Sequence, residues 1–288
     1  MRILITGAFG QLGFALNDVL SDKFDVIRTG RVIPSGLKGI GLNIQDKIYL
    51  NEVIAATSPD LIINLAAMTN VDACERNPEI AKEVNIAGFQ HICDSFKGKI
   101  IQLSTDYVFD GKNGPYKEDD PVCPISVYGK TKLASEKLIF EHSSDNLVIR
   151  GNVLYDDSSY TKASFLNWVV ESLRNNQNIK VVNDQFNNPT WTRSMADIIE
   201  LCIYKNVNGI IHWGDLDHVS RYDFAVMIAE KYSLKSSLIQ PISTEELAQE
   251  ADRPLQSGLI TEKISKMLNV IPPSIDDCLS VIIEKNNQ

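Results

Sequence analysis

Short apolar runs alternate with segments of helical periodicity along most of the chain. Runs rich in Ile, Leu and Val that end in polar or small residues predict strands buried on both faces, as in a parallel sheet. Between them, apolar residues recur three and four positions apart, the spacing of an amphipathic helix. The predicted strands cover 2–6, 24–28, 39–44, 61–67, 99–103, 147–150, 179–182 and 209–213. The predicted helices cover 14–20, 47–57, 78–96, 128–139, 163–174, 194–204, 222–232 and 276–283.

A glycine-rich turn follows the first predicted strand at once. Gly7, Gly10 and Gly13 have the spacing Gly-x-x-Gly-x-x-Gly between that strand and the next helix. Gly7 permits a tight turn, Gly10 lets backbone N–H groups approach a pyrophosphate, and Gly13 lets the helix pack closely on the strand. Strand, glycine turn and helix in this order predict a Rossmann-type dinucleotide site. The cofactor residues predicted beside Gly7 and Gly10 are Gln11, Leu12, Asn43, Ile44, Leu65, Ala66, Ala67 and Leu103.

The end of the second predicted strand indicates which dinucleotide binds. A site that prefers NAD usually ends this strand with an acid for the ribose 2′-hydroxyl, whereas this chain reads Arg28-Thr29-Gly30-Arg31. A guanidinium suits a 2′-phosphate because its planar fork of donors matches phosphate oxygens. Arg28 and Arg31 therefore favour NADP(H), with NAD(H) retained as a second cofactor. The alternative is that both arginines are ordinary solvated surface residues.

The order of the elements predicts an α/β fold, a Rossmann-type doubly wound parallel sheet with a smaller C-terminal substrate-binding lobe. The cofactor-binding domain is predicted to cover 1–150 plus about 186–213, because strand 209–213 is expected to return to the main sheet. The lobe is predicted to comprise about 151–185 and 214–288. Residues 68–75 and 183–190 are predicted to be loops, and residues 285–288 are expected to fray.

A tyrosine and a lysine four positions apart supply the candidate chemistry. Tyr128 and Lys132 follow the strand 99–103 and its polar end, Ser104-Thr105-Asp106. On a helix, both side chains share one face. An ammonium beside a phenol stabilises the phenolate, so we expect Lys132 to lower the pKa of Tyr128 and prepare it for proton transfer. Thr105 is expected to hold a substrate carbonyl oxygen against that phenol. The alternative is an exposed amphipathic pair without catalytic function.

Composition narrows the class of protein. The chain has 288 residues, 44% hydrophobic and 23% charged, which is typical of a soluble globular protein. Its net charge of −9 argues against a broad nucleic-acid-binding face. The five cysteines are scattered and lack metal-ligand spacing, so we expect reduced thiols and assign no metal site. Neither a signal peptide nor a membrane span is predicted, and a cytoplasmic location is expected.

With these motifs in one order, the chain resembles the dTDP-4-dehydrorhamnose reductase family of extended short-chain dehydrogenase/reductases. The similar stretches include Gly10-Gln11-Leu12-Gly13, the segment 104–111, Tyr128-Gly129-Lys130-Thr131-Lys132 and Arg253-Pro254…Ser257. The resemblance implies NADPH-dependent reduction of the 4-keto group of a nucleotide-linked 6-deoxyhexose, with dTDP-4-dehydro-L-rhamnose as the favoured substrate. A nucleotide sugar is thus the expected small-molecule partner, and a homodimer is left open.

The resemblance also implies roles for individual residues. Tyr128 would protonate the keto oxygen as hydride arrives, and Lys132 would hold the nicotinamide ribose. Thr105 would bind the keto oxygen, while Asp106 and Tyr107 would border the sugar. The resemblance further implies that Asn85 supports the active site and that Arg253 contacts the nucleotide diphosphate.

Three departures from the family pattern affect sugar recognition. Where the family often reads Arg-Thr-Ser-Trp, this chain reads Arg150-Gly151-Asn152-Val153, so Val153 replaces an aromatic residue near the sugar. The family's Arg-Pro-x-Asn-Ser has Gln256 in place of Asn, and the loop after Gln185 carries Asn187-Asn188 where a Gly and a small residue are common. Trp191 could replace the lost aromatic by stacking, or could be a surface or core residue.

Two other functions remain open from the sequence. A nucleotide-sugar epimerase or 4,6-dehydratase is disfavoured, because such dehydratases usually carry Glu where this chain has Tyr107. A non-catalytic NADP-binding regulatory subunit, like the β subunit of methionine adenosyltransferase, is compatible with Val153. The presence of Thr105, Tyr128 and Lys132 favours catalysis.

Overall fold

The computed structural model describes residues 1–157 and 164–286, so the predicted helix start at Ala163 and the last two residues lie outside the described residues. Its strands are β1 Arg2–Thr6, β2 Asp25–Gly30, β3 Ile40–Gly41, β4 Leu61–Asn64, β5 Lys99–Thr105, β6 Leu147–Gly151, β7 Leu154–Tyr155, β8 Ile179–Val182, β9 Phe186–Asn187, β10 Thr190–Trp191, β11 Gly209–Trp213, β12 Val219–Ser220 and β13 Ile239–Ile242. Its α-helices are α1 Gln11–Leu20, α2 Lys47–Thr57, α3 Val71–Arg76, α4 Pro78–Lys82, α5 Gly88–Ser95, α6 Val127–His142, α7 Phe165–Arg174, α8 Thr192–Tyr204, α9 Arg221–Lys231, α10 Thr244–Leu247, α11 Glu262–Leu268 and α12 Ile275–Asn286. Two 3₁₀ turns cover Asp106–Val108 and Ser236–Leu238, and a π-helical segment covers Glu83–Ala87.

The main sheet confirms the predicted doubly wound arrangement. Within the described residues it contains seven parallel strands in the order β11-β6-β5-β4-β1-β2-β3. The order reverses between β1 and β4, and ligands of such sheets bind beside the carboxyl ends of the strands at this point. Strand β11 returns to the sheet beside β6, as predicted from its apolar run.

Both faces of the sheet are covered because its strands are apolar on both sides. In β1, Ile3 and Ile5 belong to one buried cluster, which includes residues of α1 and α8. Leu4 points to the opposite face and packs in a second cluster with residues of α2 and α5. This two-sided burial explains why β1, β4 and β5 read as near-continuous hydrophobic runs rather than alternating ones.

The C-terminal lobe has its own hydrophobic core. Apolar residues of α7, α9 and α12 pack with Tyr155, Ile179 and Ile239 in a separate cluster. Short strand pairs border it, with β8 parallel to β13 and β9 antiparallel to β12. The domain boundaries proposed from the sequence stay a prediction. No helix among the described residues is both long and apolar enough to cross a membrane.

The structure corrects several predicted elements. The predicted loop 68–75 is wrong from Val71 onward, where α3 begins after Asn70, whose side chain accepts a hydrogen bond from the backbone N–H of Ala73. The predicted loop 183–190 contains β9, because its partner β12 lies far along the chain and leaves no local signal. The predicted frayed end begins too early, since α12 extends to Asn286.

Candidate active site

A cleft of about 720 Å³ lies at the carboxyl ends of β1, β4 and β5. It lies at the reversal of strand order, where a ligand is expected. The predicted cofactor residues that line it are Gly7, Gly10, Gln11, Leu12, Arg31, Asn43, Ile44, Leu65, Ala66, Ala67, Leu103 and Tyr128. The predicted substrate residues that line it are Thr105, Asp106, Tyr107 and Val153, which with Tyr128 we call the substrate end of the cleft.

The glycine turn has the geometry that a dinucleotide needs. Gly7 has a φ of +65°, and a Cβ there would lie 2.8 Å from the backbone nitrogen of Ala66. A Cβ on Gly13 would lie 2.4 Å from the carbonyl carbon of Ala8, so only glycine lets α1 pack this closely. Gly10 caps α1 without a side-chain hydrogen bond, which leaves the helix N-terminus open to an anion. The residues present therefore fit a bound pyrophosphate.

The two arginines after β2 lie in different places. Arg31 is exposed and lines the cleft. Arg28 is half-buried, donates a 2.8 Å hydrogen bond to the carbonyl of Lys38, and lies over the ring of Phe9, with Cζ 5.5 Å from its centroid. Arg28 is absent from the cleft lining, so Arg31 is the one of these two arginines that borders the cleft.

Thr105 and Asp106 stand where β5 ends. The Thr105 hydroxyl donates to Asp106 Oδ1 at 3.2 Å, and accepts from the backbone N–H of Tyr107 at the same distance. Asp106 Oδ2 accepts a 2.5 Å hydrogen bond from Ser257, a residue of the C-terminal part of the chain. Burial raises the pKa of Asp106, while the bonds from Ser257 and Thr105 oppose that rise.

Tyr128 lies in the first turn of α6, whose N-cap is Ser126. Its ring packs edge-on against Tyr107, with centroids 5.8 Å apart. Burial is the largest influence on the pKa of Tyr128 and raises it, whereas the neighbouring Thr105 side chain lowers it. The prediction that Lys132 lowers this pKa below its ordinary value is wrong for the structure, because desolvation of the phenol outweighs the favourable interactions.

Lys132 is buried one helical turn after Tyr128. Its ammonium donates a 2.6 Å hydrogen bond to the carbonyl of Leu103, on the strand that carries Thr105. Burial lowers the pKa of Lys132 to about 8. Lys132 itself is absent from the cleft lining, but Leu103, whose carbonyl accepts its hydrogen bond, is part of that lining.

The π-helical segment explains how Asn85 reaches the site. Asn85 is buried within it, accepts from the backbone N–H of Met68 at 2.7 Å and donates to Thr131 at 2.9 Å. It therefore joins the cleft loop after β4 to α6, the helix that carries Tyr128. A single π turn inside a helix is a frequent feature of functional sites.

A buried ion pair stabilises the strand behind Thr105. Arg150 donates to both carboxylate oxygens of Glu136, at 3.0 and 2.8 Å, and Ser104 donates to the same carboxylate at 2.5 Å. Arg150 also contacts His212 at 3.2 Å, and burial, followed by the charge of Arg150, lowers the pKa of His212 to about 3. The four residues connect β5, α6, β6 and β11.

Two predicted substrate residues lie away from the cleft lining. Trp191 packs against the core of the lobe, and its indole N–H donates to Asp156 at 3.3 Å. It therefore does not replace the aromatic residue lost at Val153. Arg253 is buried, forms an ion pair of 2.9 Å with Asp72 and donates to the carbonyl of Ala251.

The sequence predictions missed other residues at the substrate end. Arg221, the first residue of α9, lines the cleft together with Tyr107, with which it interacts electrostatically. Asn152 also lines it, beside Val153. The only local cue at Arg221 was the capping Ser220, because its approach to Tyr107 depends on long-range packing. No cluster of three or more metal-ligating side chains occurs in the part of the chain described.

Comparisons with known proteins show the family to which the chain belongs. The family described as "RmlD substrate binding domain" matches residues 1–287. A dTDP-4-dehydrorhamnose reductase of Aggregatibacter actinomycetemcomitans is 32% identical over 94% of this chain and 94% of its own length. The chain belongs to the dTDP-4-dehydrorhamnose reductase family. The predicted class, an NAD(P)H-dependent oxidoreductase, agrees with the names of these reductase relatives and with this family.

Two further relatives have different named functions. The crystal structure of a dTDP-4-dehydrorhamnose reductase from Bacillus anthracis in complex with NADP has a TM-score of 0.89 and 26% identity, with 99% of each chain covered. Methionine adenosyltransferase 2 subunit beta of Xenopus laevis is 30% identical over 92% of this chain and 82% of its own. The family relationship therefore includes proteins named as reductases and proteins named as subunits.

Proposed function

We propose that this chain uses NADPH to reduce the 4-keto group of a nucleotide-linked 6-deoxyhexose, with dTDP-4-dehydro-L-rhamnose as the substrate. One observation carries the proposal. Thr105 and Tyr128 line the same cleft that the glycine turn of Gly7 and Gly10 borders, and the Thr105 hydroxyl is near enough to influence the pKa of the Tyr128 phenol. A proton donor and a second oxygen ligand thus lie beside the dinucleotide site.

Each catalytic residue has a distinct role in the proposal. When bound, the nicotinamide supplies the hydride. The Tyr128 hydroxyl gives its proton to the oxygen of the reduced carbon, and its raised pKa keeps it protonated at neutral pH. Thr105 donates a hydrogen bond to the same oxygen, which requires its hydroxyl to turn from Asp106.

Lys132 has a supporting role. An ammonium has three donors, so the bond to the carbonyl of Leu103 leaves others for the hydroxyls of the nicotinamide ribose. The pKa of about 8 keeps most of the Lys132 side chain charged at neutral pH. Lys132 therefore orients the cofactor, and it also fixes α6 against β5.

The test is the oxidation of NADPH, followed by its near-ultraviolet absorbance, with dTDP-4-dehydro-L-rhamnose as substrate. The proposal predicts turnover that is faster with NADPH than with NADH. The product should co-elute with dTDP-L-rhamnose. Binding of NADPH without turnover on this substrate would contradict the proposed reaction.

A regulatory subunit is the second candidate, and two observations favour it. A relative of 30% identity is named as a subunit of methionine adenosyltransferase, and Val153 lines the cleft where the resemblance places an aromatic residue. This candidate predicts NADP binding without keto-sugar reduction, and a stable complex with another protein. Size-exclusion chromatography with a methionine adenosyltransferase catalytic subunit, alongside the activity assay, separates the two candidates.

A further inference from the structure

Arg221 is a cleft-lining cation whose charge is not matched by an ion pair. It is half-buried at the substrate end, and no described carboxylate lies within ion-pair distance of its guanidinium. The side chain is nevertheless held in place. Its Cζ lies 5.3 Å from the ring centroid of Phe165, and Tyr107 is its strongest electrostatic partner in the cleft. An arginine has five donors, so most of its hydrogen-bonding capacity remains for a ligand.

Arg253 differs in each of these respects. Its guanidinium forms an ion pair with Asp72 at 2.9 Å, and Nη1 donates to the carbonyl of Ala251 at 2.9 Å. It is buried and absent from the cleft lining. Its positive charge acts unfavourably on Arg221, so the two guanidiniums lie close enough to repel. An anion bound at Arg221 would relieve that repulsion.

The other arginine among the described cleft residues serves the opposite end. Arg31 follows β2, whereas Tyr107 follows β5, and three strand spacings separate β2 from β5 in the sheet. At the usual spacing this is about 14 Å. Arg31 is therefore placed for the cofactor, and Arg221 for an anion on the substrate.

We propose that Arg221, rather than Arg253, binds the diphosphate of the nucleotide-sugar substrate. The inference rests on the proposed function and deepens it by naming the residue that recognises the substrate's charge. A guanidinium pairs with two phosphate oxygens at once, which fixes orientation as well as affinity. Asp106 is the acidic group that acts on Arg221, and both residues line the cleft with Thr105 and Tyr128. A diphosphate at Arg221 therefore leaves the sugar beside Thr105 and Tyr128. Arg253 instead fixes the segment before Ser257 through Asp72.

The test compares thymidine 5′-diphosphate with thymidine 5′-monophosphate, because only the first contains the diphosphate. Calorimetric titration of the NADP-loaded protein should give tighter binding of the diphosphate. In Arg221→Gln the Kd of the diphosphate should rise about ten- to a hundred-fold, with a much smaller change for the monophosphate and for NADPH. Arg221→Lys should recover part of the affinity, because it keeps the charge without the fork.

Arg174→Gln is the matched control. Arg174 is exposed, lies over the ring of Tyr232 at 5.9 Å and belongs to the same lobe, but it is not part of the cleft lining. It should leave both nucleotide affinities unchanged. Circular dichroism and the thermal midpoint of each variant check that it folds.

Three results would overturn the assignment. The first is that Arg221→Gln still binds the diphosphate in preference to the monophosphate, as the wild-type protein does. The second is that the wild-type protein does not bind thymidine 5′-diphosphate. The third is that Arg221→Gln binds the dTDP-sugar more weakly but binds the free diphosphate as tightly as before. The last result would mean that Arg221 contacts the sugar. The protein could also fail to turn over the keto-sugar while its affinity for the diphosphate still depends on Arg221. That result would contradict the proposed function but not the role of Arg221.

Discussion

The hydroxyl of Ser257 donates a 2.5 Å hydrogen bond to Oδ2 of Asp106, across 151 positions of sequence. The other carboxylate oxygen accepts from Thr105, so one buried carboxylate connects the C-terminal segment to the proposed oxygen ligand of the substrate. The position of Thr105 therefore depends on a residue outside the main sheet.

Replacing Ser257 by Ala should destabilise the protein by about 1–3 kcal/mol, because Asp106 Oδ2 would be buried without its donor. Urea denaturation at pH 7 measures the loss. Ser280→Ala is the control, since the Ser280 hydroxyl donates to the backbone of its own helix, at the carbonyl of Asp276. Equal losses in the two variants would mean that the Ser257 bond adds nothing beyond a surface contact.

Tyr128→Phe should reduce turnover by about two to four orders of magnitude, because it removes the proposed proton donor. The affinity for NADPH should change little. Tyr107→Phe is a matched comparison, since the ring centroids of Tyr107 and Tyr128 are 5.8 Å apart in the same cleft. In the proposed reaction the Tyr107 hydroxyl transfers no proton. Steady-state kinetics with dTDP-4-dehydro-L-rhamnose decides the matter, and a Tyr128→Phe enzyme as fast as wild type would exclude Tyr128 from the mechanism.

Arg31→Ala should weaken NADPH binding about ten- to a hundred-fold and NADH binding far less, because only NADPH carries the 2′-phosphate. Arg28→Ala should have the smaller effect on NADPH, since its guanidinium is occupied by the carbonyl of Lys38 and the ring of Phe9. Fluorescence titration of each reduced cofactor gives the four affinities needed. A larger loss in Arg28→Ala would restore the role that the sequence suggested for it.

Local sequence patterns were sufficient to predict the main sheet and the cofactor end of the cleft. The runs that became β1, β4, β5 and β11 are apolar on both faces, so burial in a parallel sheet was readable from composition alone. The glycine turn was readable because Gly7 and Gly13 satisfy local steric demands within the first strand–turn–helix unit. The loop predicted over α3 was wrong because its capping signal at Asn70 is short and its apolar face small.

The substrate end was less predictable because it is assembled from distant segments. Arg221 reaches Tyr107, and Ser257 reaches Asp106, only after the lobe has packed on the sheet. Trp191 looked suitable for stacking on a sugar, yet its indole is used within the lobe by Asp156. The pKa of Tyr128 could not be read from the spacing to Lys132, since it depends on burial.

Asp215 is a buried carboxylate outside the cleft that makes stability depend on pH. It accepts hydrogen bonds from the backbone N–H of Trp191 and from the hydroxyl of Ser194, both at 2.7 Å, and burial raises its pKa to about 7. Below about pH 4 the group is protonated in both folded and unfolded chains. Between about pH 4 and 7 only the folded chain keeps the proton, so its contribution to stability falls by about 1.4 kcal/mol per pH unit as the pH rises.

Asp215→Asn should therefore flatten the pH profile of the free energy of unfolding. Between pH 5 and 7 the free energy of unfolding of the wild-type protein should fall by about 2–3 kcal/mol more than that of the variant, because asparagine does not titrate. Any difference in stability that the two proteins already have at pH 5 does not affect this comparison. Urea denaturation at half-unit intervals of pH gives both profiles. The lowered pKa of His212 also makes stability depend on pH, but this contribution cancels because both proteins contain His212. Asp276→Asn, which removes an exposed carboxylate paired with Lys231, should give a profile parallel to wild type. Parallel profiles for wild type and Asp215→Asn would mean that Asp215 stays ionised in the folded protein, its charge stabilised by the donors of Trp191 and Ser194.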